Sequence, residues 1–86
     1  MNNIKITIHR YELVGNPPSR MVGFLITSTT TNKHQYVETL VGIDDYKNKT
    51  EEEICVFAYN QLKSRIDSII ESFNKVSFII GSEFVP

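Results

Sequence analysis

Residues 50–74 read TEEEICVFAYNQLKSRIDSIIESFN, and this stretch decides the fold. Apolar side chains recur in it at spacings of three and four residues, the period of a helix that buries one face. Thr50 and Glu53 have the spacing of a capping box, in which each side chain bonds the backbone N–H of the other residue. Glu51 and Glu52 stand where the helix dipole favours negative charge. The stretch therefore predicts one long amphipathic helix that begins just after Thr50.

A strand with an irregular centre is predicted near the start of the chain. Residues 4–8 alternate isoleucine with polar side chains, which is the period of a half-buried strand. Tyr11 and Leu13 continue the apolar pattern on the opposite parity. The change of parity predicts either a β-bulge near residues 9–10 or a change of environment along the strand.

Two more strands are predicted before the helix. Residues 21–30 and 35–42 mix apolar and β-branched side chains in alternation, which is typical of strands in a small sheet. The polar stretch 29–33 joins them as a hairpin turn, and Asn32 is the residue expected to adopt the left-handed conformation. Residues 44–49 are expected to form a polar loop that leads into the helix.

A fourth strand is predicted at residues 76–80, where apolar side chains follow the helix. The resulting order, β-β-β-α-β, defines an α+β fold: an antiparallel meander with one long helix packed on one face. The returning strand is expected to lie parallel to strand one or strand three, through a right-handed crossover. At 86 residues, the chain is expected to form a single domain over residues 1–86.

The charge balance argues against nucleic acid and anionic membranes as partners. Nine basic and ten acidic residues give a formal net charge of −1, so no broad electrostatic attraction to either is expected. The first residues lack the charged and apolar regions of a signal peptide. No apolar run approaches the roughly 20 residues that a membrane-spanning helix needs. We therefore expect a soluble protein made in the cytoplasm.

Residue types that carry chemistry are present without the spacing that the chemistry needs. His9, His34 and Cys55 are ligand types, but no two of them have the separation of a metal motif. A thiol near a helix N-terminus can have a lowered pKa, whereas the glutamates at 51–53 disfavour its thiolate. Cys55 is predicted to be a small apolar filler. We expect no catalytic residue, no metal and no cofactor, and hence a protein that is not an enzyme.

Strand two carries more apolar surface than one helix can cover. Its centre, around Phe24 and Ile26, is apolar on both faces. Surplus apolar surface of this kind is typical of protein–protein interfaces. The alternative is a compact monomer in which the long hairpin curls over itself. The predicted interface residues are Phe24, Ile26, Tyr36, Tyr46, Phe84 and Val85.

Acidic residues gather around the start of the helix. Asp44 and Asp45 precede it, and the glutamates at 51–53 open it. One interpretation is an acidic docking patch or a weak cation site. The other is a solvated loop beside a capped helix, in which the negative charges complement the helix dipole.

The hairpin and the helix together resemble small uncharacterised proteins encoded by tailed bacteriophages. In those proteins a β-hairpin leads into a helix that opens K-T-x-E-E-I and continues with an A-Y/W-x-x-L-K segment. The matching segments here are YVET at 36–39, KTEEEI at 49–54, AY at 58–59, LK at 62–63 and GSEF at 81–84. The resemblance implies a virion or host-takeover role, in a virion or in the host cytoplasm, with no catalytic residues to carry over.

Three functions follow as hypotheses. The first is a non-catalytic structural or accessory protein that binds protein surfaces, its own copies among them, as a homo-oligomer or with a virion or host protein. The second is an inhibitor or adaptor of one host protein that uses the acidic loop at Asp44 and Asp45 as a charge mimic. The third is a small enzyme, or an oligomer that binds a small ligand between subunits, for which a polar cleft holding His9, His34 or Cys55 is expected.

Overall fold

The computed structural model of the chain describes residues 3–74, which form three strands and two helices. In chain order these are β1 (Ile4–Val14), β2 (Ser19–Ser28), β3 (His34–Val41), α1 (Ile43–Tyr46) and α2 (Glu51–Asn74). The strands make one antiparallel sheet in the order β1-β2-β3, and α2 packs mainly against β2 and β3. The predicted α+β meander with one long helix is confirmed. The strand predicted at 76–80 lies outside the described residues.

The predicted bulge in β1 is confirmed, and it sets which side chains face α2. Ile8 pairs with Phe24 and Arg10 pairs with Gly23, so that His9 is the extra residue. Residues paired directly across an antiparallel ladder share a face. The bulge therefore keeps the apolar side chains of both halves of β1 on the side of the sheet where α2 lies.

The core lies between α2 and one face of β2, the face opposite to the one that carries Gly23. Ile26 and Ile66 are fully buried at its centre. Full burial of an aliphatic side chain contributes about 1.5–3 kcal/mol relative to its exposure, so this one layer is the main source of stability. The buried apolar residues of the described chain are Val22, Phe24, Ile26, Val37, Val41, Ile54, Ala58, Leu62, Ile66 and Phe73.

The ends of the elements carry the local signals predicted from the sequence. Asn32 has φ 61° in the β2–β3 turn, and its N–H donates to the carbonyl of Ser28 at 2.8 Å. At the start of α2 the Thr50 N–H donates to Glu53 Oε1 at 2.8 Å, and the Glu53 N–H donates to Thr50 Oγ1 at 3.2 Å. Both the left-handed asparagine and the capping box are confirmed.

The loop predicted at 44–49 begins instead as a helical turn, α1. The N–H groups of Asp45 and Tyr46 both donate to the carbonyl of Gly42, at 2.9 and 3.1 Å. Tyr46 is half-buried against the core and its hydroxyl donates to the carbonyl of Pro18 at 3.3 Å. Packing of the Tyr46 ring against the end of the sheet stabilises this turn. The polar residues around it gave no indication of that contact.

Candidate protein-binding surfaces

The helix side of β1 is an apolar surface that α2 leaves partly uncovered. Ile8 and Leu13 lie on that side and are 51% and 52% exposed, with Tyr11 half-buried between them. A helix is about 10 Å wide and strands lie about 4.8 Å apart, so one helix covers roughly two strands of a sheet. Because α2 lies over β2 and β3, it covers β1 only in part. Ile4 and Ile6 are partly buried against the core, whereas Ile8 and Leu13 remain about half exposed. We call Ile8, Tyr11 and Leu13 the β1 flank.

The predicted interface residues are divided among the core, the surface and the undescribed end of the chain. Phe24 and Ile26 are 4% and 0% exposed in the core. The prediction that they meet a partner is wrong for this fold, because the face of β2 that carries them is the face α2 covers. Tyr36 is partly exposed on the other face of the sheet, and Tyr46 is half-buried. Phe84 and Val85 lie outside the described residues.

The open face of the sheet, opposite α2, carries a cross-strand cluster of charge. Arg10 donates to Glu12 at 2.9 Å within β1, and to Glu38 of β3 at 3.4 Å. The Tyr36 hydroxyl donates to the same Glu38 oxygen at 2.8 Å. The cluster fixes β1 to β3 across the central strand. We call these four residues the open-face cluster.

Gly23 makes the open-face cluster possible. It stands on β2 directly between Arg10 and Glu38 in the register of the sheet. A Cβ atom at this position would lie 2.0 Å from the hydroxyl oxygen of Tyr36. The missing side chain therefore leaves the space in which the tyrosine ring lies flat on the strand and its hydroxyl reaches Glu38.

Hydrogen bonds and neighbouring charges shift the pKa values of the open-face cluster. The hydrogen bond to Glu12, followed by the charge of that carboxylate, raises the pKa of Arg10 further above its usual range. The same hydrogen bond lowers the pKa of Glu12. Burial, and then the hydrogen bond to Glu38, raises the pKa of Tyr36. Each shift favours the charged form of Arg10 and Glu12 and the neutral form of Tyr36, which are the forms that the hydrogen bonds of the cluster require.

A second arginine lies at the edge of the helix side, between two tyrosines. The guanidinium carbon of Arg20 is 4.3 Å from the centre of the Tyr11 ring and 5.9 Å from that of Tyr46. Arg20 pairs with Leu13 across the β1–β2 ladder, so this arginine adjoins the β1 flank. Its Nε atom is buried and has no hydrogen-bond partner among residues 3–74. We call Arg20, Tyr11 and Tyr46 the Arg20 cluster.

The residues that could carry nucleophilic chemistry do not meet. His9 packs edge-on against Tyr36 on the open face, with ring centres 6.5 Å apart. Cys55 lies on α2, across the sheet from this histidine. Burial, and then the negative charge of Glu51, raises the pKa of the Cys55 thiol, with Arg20 opposing the shift. A nucleophilic cysteine requires the opposite change, towards thiolate at neutral pH.

The two aspartates of the predicted acidic loop lie on α1, and both are exposed. The side chain of Asp44 is 91% exposed and its carboxylate is 3.9 Å from the Lys47 ammonium. Within residues 3–74, the Asp45 carboxylate makes no ion pair. Lys49 approaches this residue but bonds its backbone carbonyl. Since Tyr46 of the Arg20 cluster follows directly, the acidic residues and the unpaired cation lie at the same end of the molecule.

Over residues 3–74, no group of three or more histidine, cysteine, aspartate or glutamate side chains is placed to hold a metal ion. None of the helices in this range is long and apolar enough to cross a bilayer.

The surface positions of several of these residues could not be predicted from the sequence. Ile8 and Leu13 read as core positions, because the periodicity that marks the apolar face of a strand does not say which strands the helix will cover. Arg10 and Arg20 read as isolated basic residues. The usable signal is Gly23 in the middle of an otherwise bulky strand, since an interior glycine often marks the close approach of another group.

Comparison with protein-family models, with curated proteins and with solved structures gave no match to this chain. Its function is therefore inferred from its own residues and their geometry.

Proposed function

We propose that the chain is a non-catalytic protein-binding module that acts through self-assembly or through a partner protein. The observation that carries this proposal is the β1 flank, where Ile8 and Leu13 are about half exposed beside a core that the same strand helps to build. Contiguous exposed apolar side chains rimmed by polar groups are typical of surfaces that bind proteins. Here the rim includes the Arg20 cluster, and tyrosine and arginine are the residue types most enriched in binding hot spots.

The chemistry of the surface favours binding over catalysis. His9 and Cys55 lie on opposite sides of the sheet, the thiol has a raised pKa, and the open-face cluster is already paired internally. Nucleophilic catalysis needs a nucleophile and a base within hydrogen-bond reach of each other. The resemblance of the hairpin and capped helix to bacteriophage proteins supports a structural or accessory role, in a virion or in an infected cell.

The solution mass tests this proposal. Light scattering coupled to size exclusion, over a range of concentrations, is expected to give a mass above the 9.9 kDa of one chain. The double variant Ile8→Thr/Leu13→Thr is expected to dissociate at a concentration where the parent is assembled, because threonine keeps the strand but removes apolar area.

The control is Leu40→Thr, which removes a leucine of similar exposure from the open face. It is expected to leave the assembly intact. A parent mass of 9.9 kDa at every concentration would overturn self-assembly. Equal weakening by the control and the double variant would show that general loss of apolar surface, and not the β1 flank, matters.

A further inference from the structure

Arg20 is a cation whose charge the described residues leave unpaired. The ion pairs within residues 3–74 are made by Arg10, Lys47 and Lys63. Arg20 contacts the rings of Tyr11 and Tyr46, and its buried Nε has no acceptor in the part of the chain that the structure describes. Leaving a buried donor without a partner is costly, and a carboxylate is the acceptor that best matches the planar guanidinium.

Glu51 does not pair with this arginine. The charges of Glu51 and Arg20 both act on the pKa values of Tyr11 and Cys55, in opposite directions. No ion pair within 4 Å joins them in the described chain. Arg20 as a whole is only half-buried, and Leu13, which pairs with it across the β1–β2 ladder, is 52% exposed.

Asp45 is the complementary group at the same end of the molecule. It stands next to Tyr46, which closes one side of the Arg20 cluster, and its carboxylate has no ion-pair partner among the described residues. Asp44, by comparison, already lies near Lys47. A twofold interface brings the same patch of both subunits together. Arg20 and Asp45 lie at one end of the protomer without pairing, so in such an interface Arg20 of each copy can pair with Asp45 of the other.

We propose that Arg20 of one protomer binds Asp45 of a second copy, and that the reciprocal pair forms about the twofold axis, with the two β1 flanks beside it. This proposal rests on the proposed self-assembly and names the contact that directs it. The apolar flank supplies buried area, and the two charge pairs fix the orientation of the copies. The tyrosines hold the guanidinium in place before the partner arrives, which reduces the ordering that binding requires.

Charge reversal tests the contact. The variants Arg20→Glu and Asp45→Lys are each expected to weaken the dimer at least tenfold by concentration-dependent light scattering, because each places like charges face to face. An equimolar mixture of the two is expected to restore a mass of twice 9.9 kDa. In the mixed dimer, the two substituted side chains meet as an opposite-charge pair on one side of the axis, and the native pair forms on the other.

The control is Asp67→Lys, an exposed acid on α2 far from the Arg20 cluster, which is expected to leave the dimer unchanged. If circular dichroism shows that Arg20→Glu does not fold, the contact is tested with Asp45→Lys and Asp45→Asn alone. The Asp45 side chain is exposed, so these two variants are expected to fold. A dimer that tolerates Asp45→Lys overturns the contact, while weakening by Ile8→Thr/Leu13→Thr would then still uphold self-assembly. A parent that is always monomeric overturns both the contact and the self-assembly on which it rests, and leaves the binding of a different partner protein as the proposed function.

Discussion

At the scale of single residues, the open-face cluster depends on an absent side chain. Gly23 leaves the space in which the ring of Tyr36 crosses β2, so the tyrosine hydroxyl reaches Glu38 and Glu38 reaches Arg10. Glycine inside a strand weakens it by roughly 0.5–1 kcal/mol relative to alanine. An aromatic side chain on the neighbouring strand offsets that weakness by covering the exposed backbone.

Gly23→Ala is expected to destabilise the protein by about 1 kcal/mol in the parent, because the new methyl group displaces Tyr36 from the strand. In a Tyr36→Ala background the same substitution is expected to be neutral or stabilising, by up to about 0.5 kcal/mol, since the space is then free and alanine suits a strand better. Urea denaturation of the four proteins measures the coupling. An equal effect of Gly23→Ala in both backgrounds would contradict the role assigned to the tyrosine.

Residue-level signals that act through the local backbone could be predicted from the sequence. The parity change in β1 indicated a bulge, and the spacing of Thr50 and Glu53 predicted the cap. Asn32 was expected to adopt the left-handed conformation in its turn, because asparagine tolerates it. Contacts between strands could not be predicted, because they depend on register. Nothing near Gly23 in the chain indicates that Tyr36, 13 residues later, will lie over it.

At the scale of elements, α2 is a helix whose first turn is anchored by a reciprocal pair of hydrogen bonds. The bond from the backbone of Thr50, and then the bond from its side chain, lower the pKa of Glu53 below its ordinary value of 4.5. A carboxyl group with a lowered folded-state pKa contributes stability above its unfolded pKa. That contribution is lost as the pH falls through the folded value.

Thr50→Ala is therefore expected to lower the free energy of unfolding by about 1 kcal/mol at neutral pH, through loss of the cap. The backbone N–H of residue 50, whose bond is the larger cause of the lowered pKa of Glu53, is kept in this variant. The pKa of Glu53 is therefore expected to rise only part of the way towards 4.5, and the variant to lose slightly less stability on acidification than the parent. Urea titrations at neutral and acid pH, with a carboxyl titration by NMR, measure both effects. Ser64→Ala, at an exposed position on the same helix, is the control and should not lower stability.

The placement of α2 over β2 and β3 is the element-level fact that the sequence left open. Strand two is apolar on both faces, so its pattern alone did not tell which face the helix would cover. That ambiguity is why Phe24 and Ile26 were expected at an interface and lie in the core. It is also why Ile8 and Leu13, which share the helix side, were not expected at the surface.

At the scale of the whole molecule, stability over residues 3–74 depends on one apolar layer between helix and sheet. Ile66 lies fully buried in it, whereas Val56 points away from the sheet and is 55% exposed. Ile66→Ala is expected to cost about 2–5 kcal/mol, a large part of the stability of a domain this small.

Val56→Ala, on the same helix, is the matched control and is expected to stay within about 0.5 kcal/mol of the parent. Thermal or urea unfolding followed by circular dichroism measures both variants. Similar losses for the two substitutions would mean that the packing of α2 in solution differs from the one described.

The bulge at His9 also bears on how far such molecules can associate. It divides the outer border of β1 into two regular stretches of about five residues each, Ile4 to Ile8 and Arg10 to Val14. A bulged border is a poor template for adding strand after strand, which is how sheets grow into fibres. Among the described strands, β1 therefore offers an interrupted backbone edge, which favours the proposed association through side chains over growth into fibres.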